Sequence, residues 1–165
     1  VVEALWKADK GGMDRWVILQ NQFSLLHRWE IEPELLNLCR RFGMGMMTYS
    51  PLAIGLLSGG LRRGMSVPAN SPWAKDSKRF EDHMSDKADQ LVARMGEIAT
   101  ARGATTAQLA ISWLLDHDGL TAPIIGPDCP DHVEELIPSV EFELSQDERA
   151  ELDSLSEWEQ YTRLS

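Results

Sequence analysis

The chain has 165 residues, 43% of them hydrophobic and 25% charged, which is the composition of a soluble globular domain with a real core. Its formal net charge of −10 argues against a nucleic-acid partner, because phosphate contacts need clustered Lys and Arg. No apolar run approaches membrane-spanning length and two isolated cysteines make no disulfide framework, so we expect no membrane partner and a reducing, cytoplasmic location.

The first part of the chain has the pattern helix, strand, helix, strand. Apolar spacing over residues 1–10 predicts an amphipathic helix that ends at the two glycines after it. The apolar run 16–19 is typical of a short strand buried on both faces. Pro33 suits a first helical turn, and the apolar positions after it indicate a helix that stops at Gly43. Residues 44–49 are then predicted as the second strand.

The rest of the chain continues the alternation after a long polar stretch. Residues 60–86, which contain several Gly and Pro, predict a long loop within a single domain over 1–165. After this loop, a helix is predicted around 91–99, closed by Gly103, and a second helix is started by the capping-box pair Thr105 and Gln108. A strand over 121–126 and a short helix over 130–136 follow. A terminal helix is started by the capping-box pair Ser145 and Glu148 and carries Leu152, Leu155 and Trp158.

Strands that alternate with helices predict parallel β/α units, and therefore an α/β fold. Three strands are predicted, each apolar enough to be fully buried, whereas closing a β/α barrel takes eight. A three-stranded sheet alone would leave open edges that pair with other chains, so we expect self-association. The chain also begins with Val1 inside a helical pattern, which suggests a fragment or a processed product.

Four stretches of the sequence carry a family resemblance. They are residues 16–26, residues 34–52 ending in Tyr49-Ser50-Pro51-Leu52, residues 98–113, and residues 123–135 beginning Pro123-Ile124-Ile125-Gly126. In order and spacing they resemble the C-terminal portion of the aldo-keto reductases, over nearly the whole chain. The resemblance implies a (β/α)8 TIM barrel, of which this chain would supply strands six to eight and so be incomplete.

The resemblance also implies an activity. Members of the family reduce aldehydes or ketones by hydride transfer from NADPH or NADH, with catalytic Asp, Tyr, Lys and His in the first half of the barrel. No residue here matches those four, so no catalytic residue is assigned, and no metal site is predicted. The chain would then be the cofactor-binding segment of a nicotinamide-dependent oxidoreductase, inactive alone, whose full-length parent acts on a small carbonyl substrate.

Cofactor contacts follow from the resemblance residue by residue. Gln20, placed at the end of the first strand, matches the glutamine that hydrogen-bonds the nicotinamide carboxamide. Tyr49 matches the aromatic residue that stacks on the nicotinamide ring. Ser50 and Leu52, with Pro51 between them, match positions along the pyrophosphate path. The alternatives are a polar loop role for Gln20, a half-buried core role for Tyr49 and simple turn chemistry for the others.

The segment after the third strand matches the family's adenosine-phosphate site less closely. The resemblance places Gly126, His132 and Glu135 at the cofactor, with His132 where an Arg or Gln is usual. Asp128 and Asp131 add negative charge where a 2′-phosphate would sit, or else act as helix caps. These carboxylates make NADH an alternative to NADPH.

Two other functions remain open. Potassium-channel β subunits share the signature, so the chain is alternatively a non-catalytic dinucleotide-binding module, or else an inactive truncated copy. In the long loop, Trp73 and Phe80 either close over a substrate or pin the loop to the domain. His83 and His117 lie in polar sequence and are expected to be solvated.

Overall fold

A computed structural model describes residues 1–69 and 71–157 as an α/β arrangement with a three-stranded parallel sheet. The elements are α1 (Val2–Gly11), β1 (Ile18–Gln22), a π-helical turn (Ile31–Leu35), α2 (Leu36–Phe42), β2 (Gly45–Tyr49), a 3₁₀ turn (Leu56–Ser58), a second 3₁₀ turn (Pro72–Lys75), α3 (Ser77–His83), α4 (Asp86–Arg102), α5 (Thr106–Leu115), β3 (Ala122–Pro123), α6 (Pro130–Leu136), a third 3₁₀ turn (Ile137–Val140) and α7 (Gln146–Leu155). Trp158, predicted for the terminal helix, lies outside the described residues.

The central strand of the sheet is β2, which pairs in parallel with β1 on one side and with β3 on the other. Its residues Met46 and Thr48 are fully buried. The register places Gln22 opposite Tyr49, and Thr48 opposite Pro123. The carboxyl ends of all three strands therefore meet at one edge of the sheet.

The prediction that every strand is fully buried is wrong for β1, which has no buried residue, and for β3, whose two residues are half-buried. The strand begins at Ile18, and the preceding Trp16 and Val17 are 65% and 70% exposed. Among the described residues no strand pairs with the outer side of β1, so the apolar run lies at an open edge. The third strand is also shorter than predicted, with two residues, because its ladder to β2 ends with the Ile124 N–H donating to the Thr48 carbonyl at 2.6 Å.

The helix boundaries follow the capping signals in the sequence. In α5 the Thr105 hydroxyl accepts from the Gln108 N–H while the Gln108 side chain accepts from the Thr105 N–H, and Ser145 with Glu148 repeats this box in α7. Gly103 ends α4 in the left-handed conformation, as predicted. Sequence-local hydrogen bonds therefore determine these boundaries.

The polar segment 60–86 contains ordered helical turns that the loop prediction missed. Trp73 in the 3₁₀ turn is 2% exposed, and Phe80 in α3 is buried beside it with ring centroids 6.2 Å apart. Both rings belong to the main hydrophobic core. Their burial favours the pinning of this segment to the domain over closure across a substrate.

The main core lies between the sheet and the helices α4 and α5. Leu91 and Met95 of α4 and Leu109 and Trp113 of α5 have no exposed side-chain surface. An ion pair from Arg94 to Glu151, at 2.6 Å, ties α4 to α7 outside this core. Helix α5 packs against α4 and β3, and α2 packs against β2.

Apolar side chains are exposed in the first 18 residues of the chain. They include Val2 and Trp6 of α1, and Met13, Trp16 and Val17 before β1. Self-association through the open edge of the sheet stays a prediction. In the described part of the chain, no helix combines the length and the apolar character needed to cross a membrane.

Candidate functional site

A cleft of about 580 Å³ opens at the carboxyl ends of β2 and β3. Parallel β/α folds bind ligands at this edge. The cleft is lined by Tyr49, Ser50, Pro51, Leu52, Ile54, Gly55, Ser58, Leu61, Ser71, Pro72, Ala107, Ile124, Ile125, Gly126, Pro127, Asp128, His132, Glu135 and Leu136. Its walls are thus the turn after β2, the segment around Ser71, the start of α5, and the loop from β3 into α6.

The turn after β2 has a strained backbone. Ser50, Ala53 and Ile54 have φ angles of 53°, 49° and 56°, in the left-handed region that non-glycine residues rarely adopt. The Ala53 N–H donates to the Ser50 carbonyl at 2.9 Å, and the Leu57 N–H donates to the Leu52 carbonyl at 3.1 Å. Such strain persists only where surrounding contacts hold it, and it clusters at ligand sites.

All predicted cofactor residues except Gln20 line this one cleft. Tyr49 ends β2 and is 41% exposed, so its ring has a free face on which a ligand ring can stack. Ser50 and Leu52 are half-buried, and Pro51 is buried between them. The fold therefore brings the turn after β2 to the loop before α6, although the role of each residue stays a prediction.

Gln20 does not lie at a strand terminus. The first strand continues to Gln22, so Gln20 occupies its middle, opposite Met47, with an exposed side chain. The apolar run ends at Leu19, and this pattern predicts that the strand ends beside Gln20. Polar residues continue the ladder because its hydrogen bonds come from the backbone. The contact of Gln20 with a carboxamide stays a prediction.

The opposite wall is the loop that leads into α6. The Asp128 N–H donates to Nδ1 of His132 at 3.3 Å. The Gln108 side-chain amide donates to the Glu135 carbonyl at 2.6 Å. These two hydrogen bonds hold the loop in shape and fasten α6 to the start of α5.

The charged side chains of the cleft are acidic. Asp128 and Glu135 are carboxylates, and no Lys or Arg occurs among the lining residues in the described ranges. Within those ranges the N–H groups of Leu52 and Gly55 donate to no acceptor. An anion in this cleft would therefore be held by backbone N–H groups and hydroxyls. The same ranges contain no group of three or more His, Cys, Asp or Glu arranged for a metal ion.

Several lining residues were missed by the sequence reasoning. The capping box of α5 was the available signal for Ala107, because it locates the start of that helix. The helix start packs closely against the turn, since a Cβ on Gly59 would lie 2.5 Å from Thr106 Oγ1. No sequence signal pointed to Ser71 or Pro72. Their approach depends on how the whole segment 60–86 folds back onto the domain.

The turn is also anchored from outside. The Trp73 indole N–H donates to the Ile54 carbonyl at 2.9 Å. Trp73 itself does not line the cleft, but the adjoining Ser71 and Pro72 do. One short stretch of segment 60–86 therefore contributes lining residues and a fixed contact to the strained turn.

The prediction that His117 is solvated is wrong. Its side chain is 8% exposed and packs edge-on against the rings of Phe23 and Trp113. Its Nε2 lies 3.3 Å from the Glu32 carboxylate. Burial acts to raise the pKa of Glu32, but hydrogen bonds from His117 and Arg28 outweigh it and lower that pKa. None of these residues lines the cleft, so the network supports the fold.

Comparison with known proteins finds that the sequence of the chain is similar to one family. The sequence model of the Aldo/keto reductase family matches residues 1–157. The chain is 34% identical over 150 residues to an aldo-keto reductase of Fusarium vanettenii, covering 90% of this chain and 39% of that protein. It is 29% identical over 146 residues to aldo-keto reductase AMT2 of Alternaria alternata, covering 88% of this chain and 38% of that protein. The chain thus spans about two fifths of the length of these relatives.

Proposed function

Since the chain belongs to the aldo/keto reductase family, we propose that it is the cofactor-binding segment of a nicotinamide-dependent oxidoreductase that reduces aldehydes or ketones. In this proposal β1, β2 and β3 are strands six to eight of a (β/α)8 TIM barrel, within one domain. Three parallel strands separated by helices support that assignment. The free thiols of Cys39 and Cys129 accord with a cytoplasmic location.

The observation that carries the proposal is the cleft at the strand ends. It joins Tyr49 and the turn after it to the loop that contains Gly126 and His132, residues distant in sequence and predicted for one ligand. A nicotinamide ring would stack on Tyr49, and the free N–H groups of Leu52 and Gly55 would face the pyrophosphate. When bound, the cofactor would supply the hydride, and these residues would orient it.

The lining residues of the cleft suit the nicotinamide and the pyrophosphate of a dinucleotide better than an additional phosphate on its adenosine ribose. The aromatic ring and the N–H groups suit a nicotinamide and a pyrophosphate. The carboxylates of Asp128 and Glu135, without a lining cation in the described ranges, oppose an additional phosphate on the ribose. We therefore include NADH beside NADPH as the cofactor of this site.

A second candidate is a non-catalytic dinucleotide-binding module. It rests on the same cleft and the same predicted dinucleotide contacts, and it needs none of the family's catalytic residues, to which no residue of this chain was matched. Reduction of a small aldehyde by a full-length parent protein would support the oxidoreductase, and dinucleotide binding without turnover would support the module.

Titration of the chain with NADH and NADPH, followed by nicotinamide fluorescence, tests the shared part of both candidates. We expect saturable binding. Tyr49→Ala should raise the Kd about fivefold to tenfold because stacking is lost. Trp29→Ala is the matched control, since Trp29 is similarly exposed, at 43%, and does not line the cleft. Binding of neither dinucleotide, or equal affinity of the Tyr49 variant and wild type, would contradict the proposal.

A further inference from the structure

The most strained part of the cleft wall is joined to a buried tryptophan outside it. Ile54 is β-branched and has a φ of 56°, where such residues are genuine outliers. Its carbonyl oxygen accepts the Trp73 indole N–H at 2.9 Å. A strained conformation needs surrounding contacts to persist, and this hydrogen bond reaches the turn from another segment.

Trp73 is itself held rigidly enough to act as an anchor. Its ring is 2% exposed and contacts Phe80, with centroids 6.2 Å apart, and the Arg79 guanidinium, 5.4 Å from the ring centroid. Upstream, the Arg62 guanidinium forms a bidentate salt bridge with the Asp89 carboxylate of α4, with N···O distances of 2.7 and 3.0 Å. The segment is thus fastened to the core on both sides of the cleft-lining residues 71–72.

We infer that Trp73 is a positioning residue of the cleft: its indole N–H holds the Ile54 carbonyl, and so keeps the turn 50–58 in the conformation that receives the ligand. The inference rests on the proposed function, because the ligand is taken to be a nicotinamide dinucleotide. Trp73 does not itself line the cleft, so it would act on the ligand through the turn that it holds. A loss of this contact lowers the population of the competent turn, and the apparent affinity falls by the same factor.

The variant Trp73→Phe removes the N–H donor and keeps an aromatic ring in the core. The matched control is Trp113→Phe. Trp113 is also fully buried, its indole N–H also donates over 2.9 Å, to Asp153, and it does not line the cleft. Each variant removes the indole N–H donor of a buried tryptophan, so a difference in Kd between the two variants shows that the location of the donor matters.

Two readouts are measured on each full chain: the Kd for NADH and NADPH, and amide hydrogen exchange of residues 52–58 without ligand. We expect Trp73→Phe to raise the Kd about fivefold or more and to speed exchange at Leu56 and Leu57. Trp113→Phe should change the Kd less than about twofold, since Trp113 does not line the cleft and its indole N–H donates to Asp153 of α7 and not to the turn. Both variants should show comparable changes in melting temperature.

Equal affinity of Trp73→Phe and wild type would overturn the inference, as would unchanged exchange in the turn. If wild type binds neither dinucleotide, the proposed function fails while the exchange measurement still decides whether Trp73 holds the turn. Equal loss of affinity in both variants would assign Trp73 a general role in stability, and would also overturn the inference.

Discussion

Gly59 lies where the turn of the cleft meets α5, and Gly59→Ala tests that junction. The residue has a φ of 83°, so alanine there costs about 1–2 kcal/mol of backbone strain. A Cβ would lie 2.5 Å from Thr106 Oγ1 and 3.2 Å from its Cγ2, at the first residue of α5. Overpacking of this kind costs about 1–3 kcal/mol. Since alanine restricts the unfolded chain by about 0.4–1 kcal/mol, the expected net destabilisation is about 1–4 kcal/mol.

Thermal and urea unfolding measure this loss. For a chain of this size we expect the Tm to fall by about 2–15 °C. Gly64→Ala is the matched control, because Gly64 has a φ of 77° but no atom within 4 Å of a Cβ, so it carries the strain without the clash. In a Thr106→Ala background the nearest remaining side-chain atom would be 3.4 Å away, and the extra cost of Gly59→Ala should largely vanish.

Two results would refute this reasoning. The first is a Gly59→Ala variant no less stable than Gly64→Ala, because the close approach to Thr106 would then be absent. The second is an unchanged cost in the Thr106→Ala background, which would show that the loss comes from the backbone of the turn alone.

Three further perturbations address the helices and one ion pair. Thr105→Ala removes half of the capping box of α5 and should lower the free energy of unfolding by about 0.5–2 kcal/mol in urea titrations, and no change would contradict the box. The Arg62 side chain, with a smaller part from the Arg63 N–H, lowers the pKa of Asp89 to about 2. Because the pKa of Asp89 is depressed in the folded state, its stabilisation of the fold is complete above about pH 4 and is lost as the pH falls through about 2. The free energies of unfolding of wild type and Asp89→Asn should therefore differ at pH 6 and converge towards pH 2. A difference that stays constant over this pH range would count against the ion pair. Leu152→Ala deletes a fully buried side chain of α7 and should cost about 2–5 kcal/mol in the same titrations, and a cost below about 1 kcal/mol would mean that α7 is loosely packed.

Elements with local signals were predictable from the sequence. Gly43 and Gly103 each end a helix by adopting a left-handed conformation that glycine takes without strain. The reciprocal hydrogen bonds of Thr105 with Gln108 depend only on residues three apart. Tyr49 was placed correctly at the end of β2 because an apolar run stops there.

Features that depend on distant neighbours were not predictable in this way. The exposure of Trp16 and Val17 follows from the edge position of β1, which an apolar pattern does not report. The burial of His117 depends on Phe23 and Trp113, far apart in the sequence. The anchoring of the turn by Trp73 likewise rests on a hydrogen bond across segments, so the sequence left its role between two alternatives.

Mapping NADH onto the chain by amide chemical shifts tests most directly that this cleft is a dinucleotide site. We expect the perturbed amides to cluster at residues 49–58, at Ala107 and over 124–136, which form three of the four walls of the cleft. Tyr49→Ala should weaken these shifts without moving them elsewhere. Shifts centred on α1 and the open edge of β1, or no saturable shifts with NADH or NADPH, would contradict the assignment.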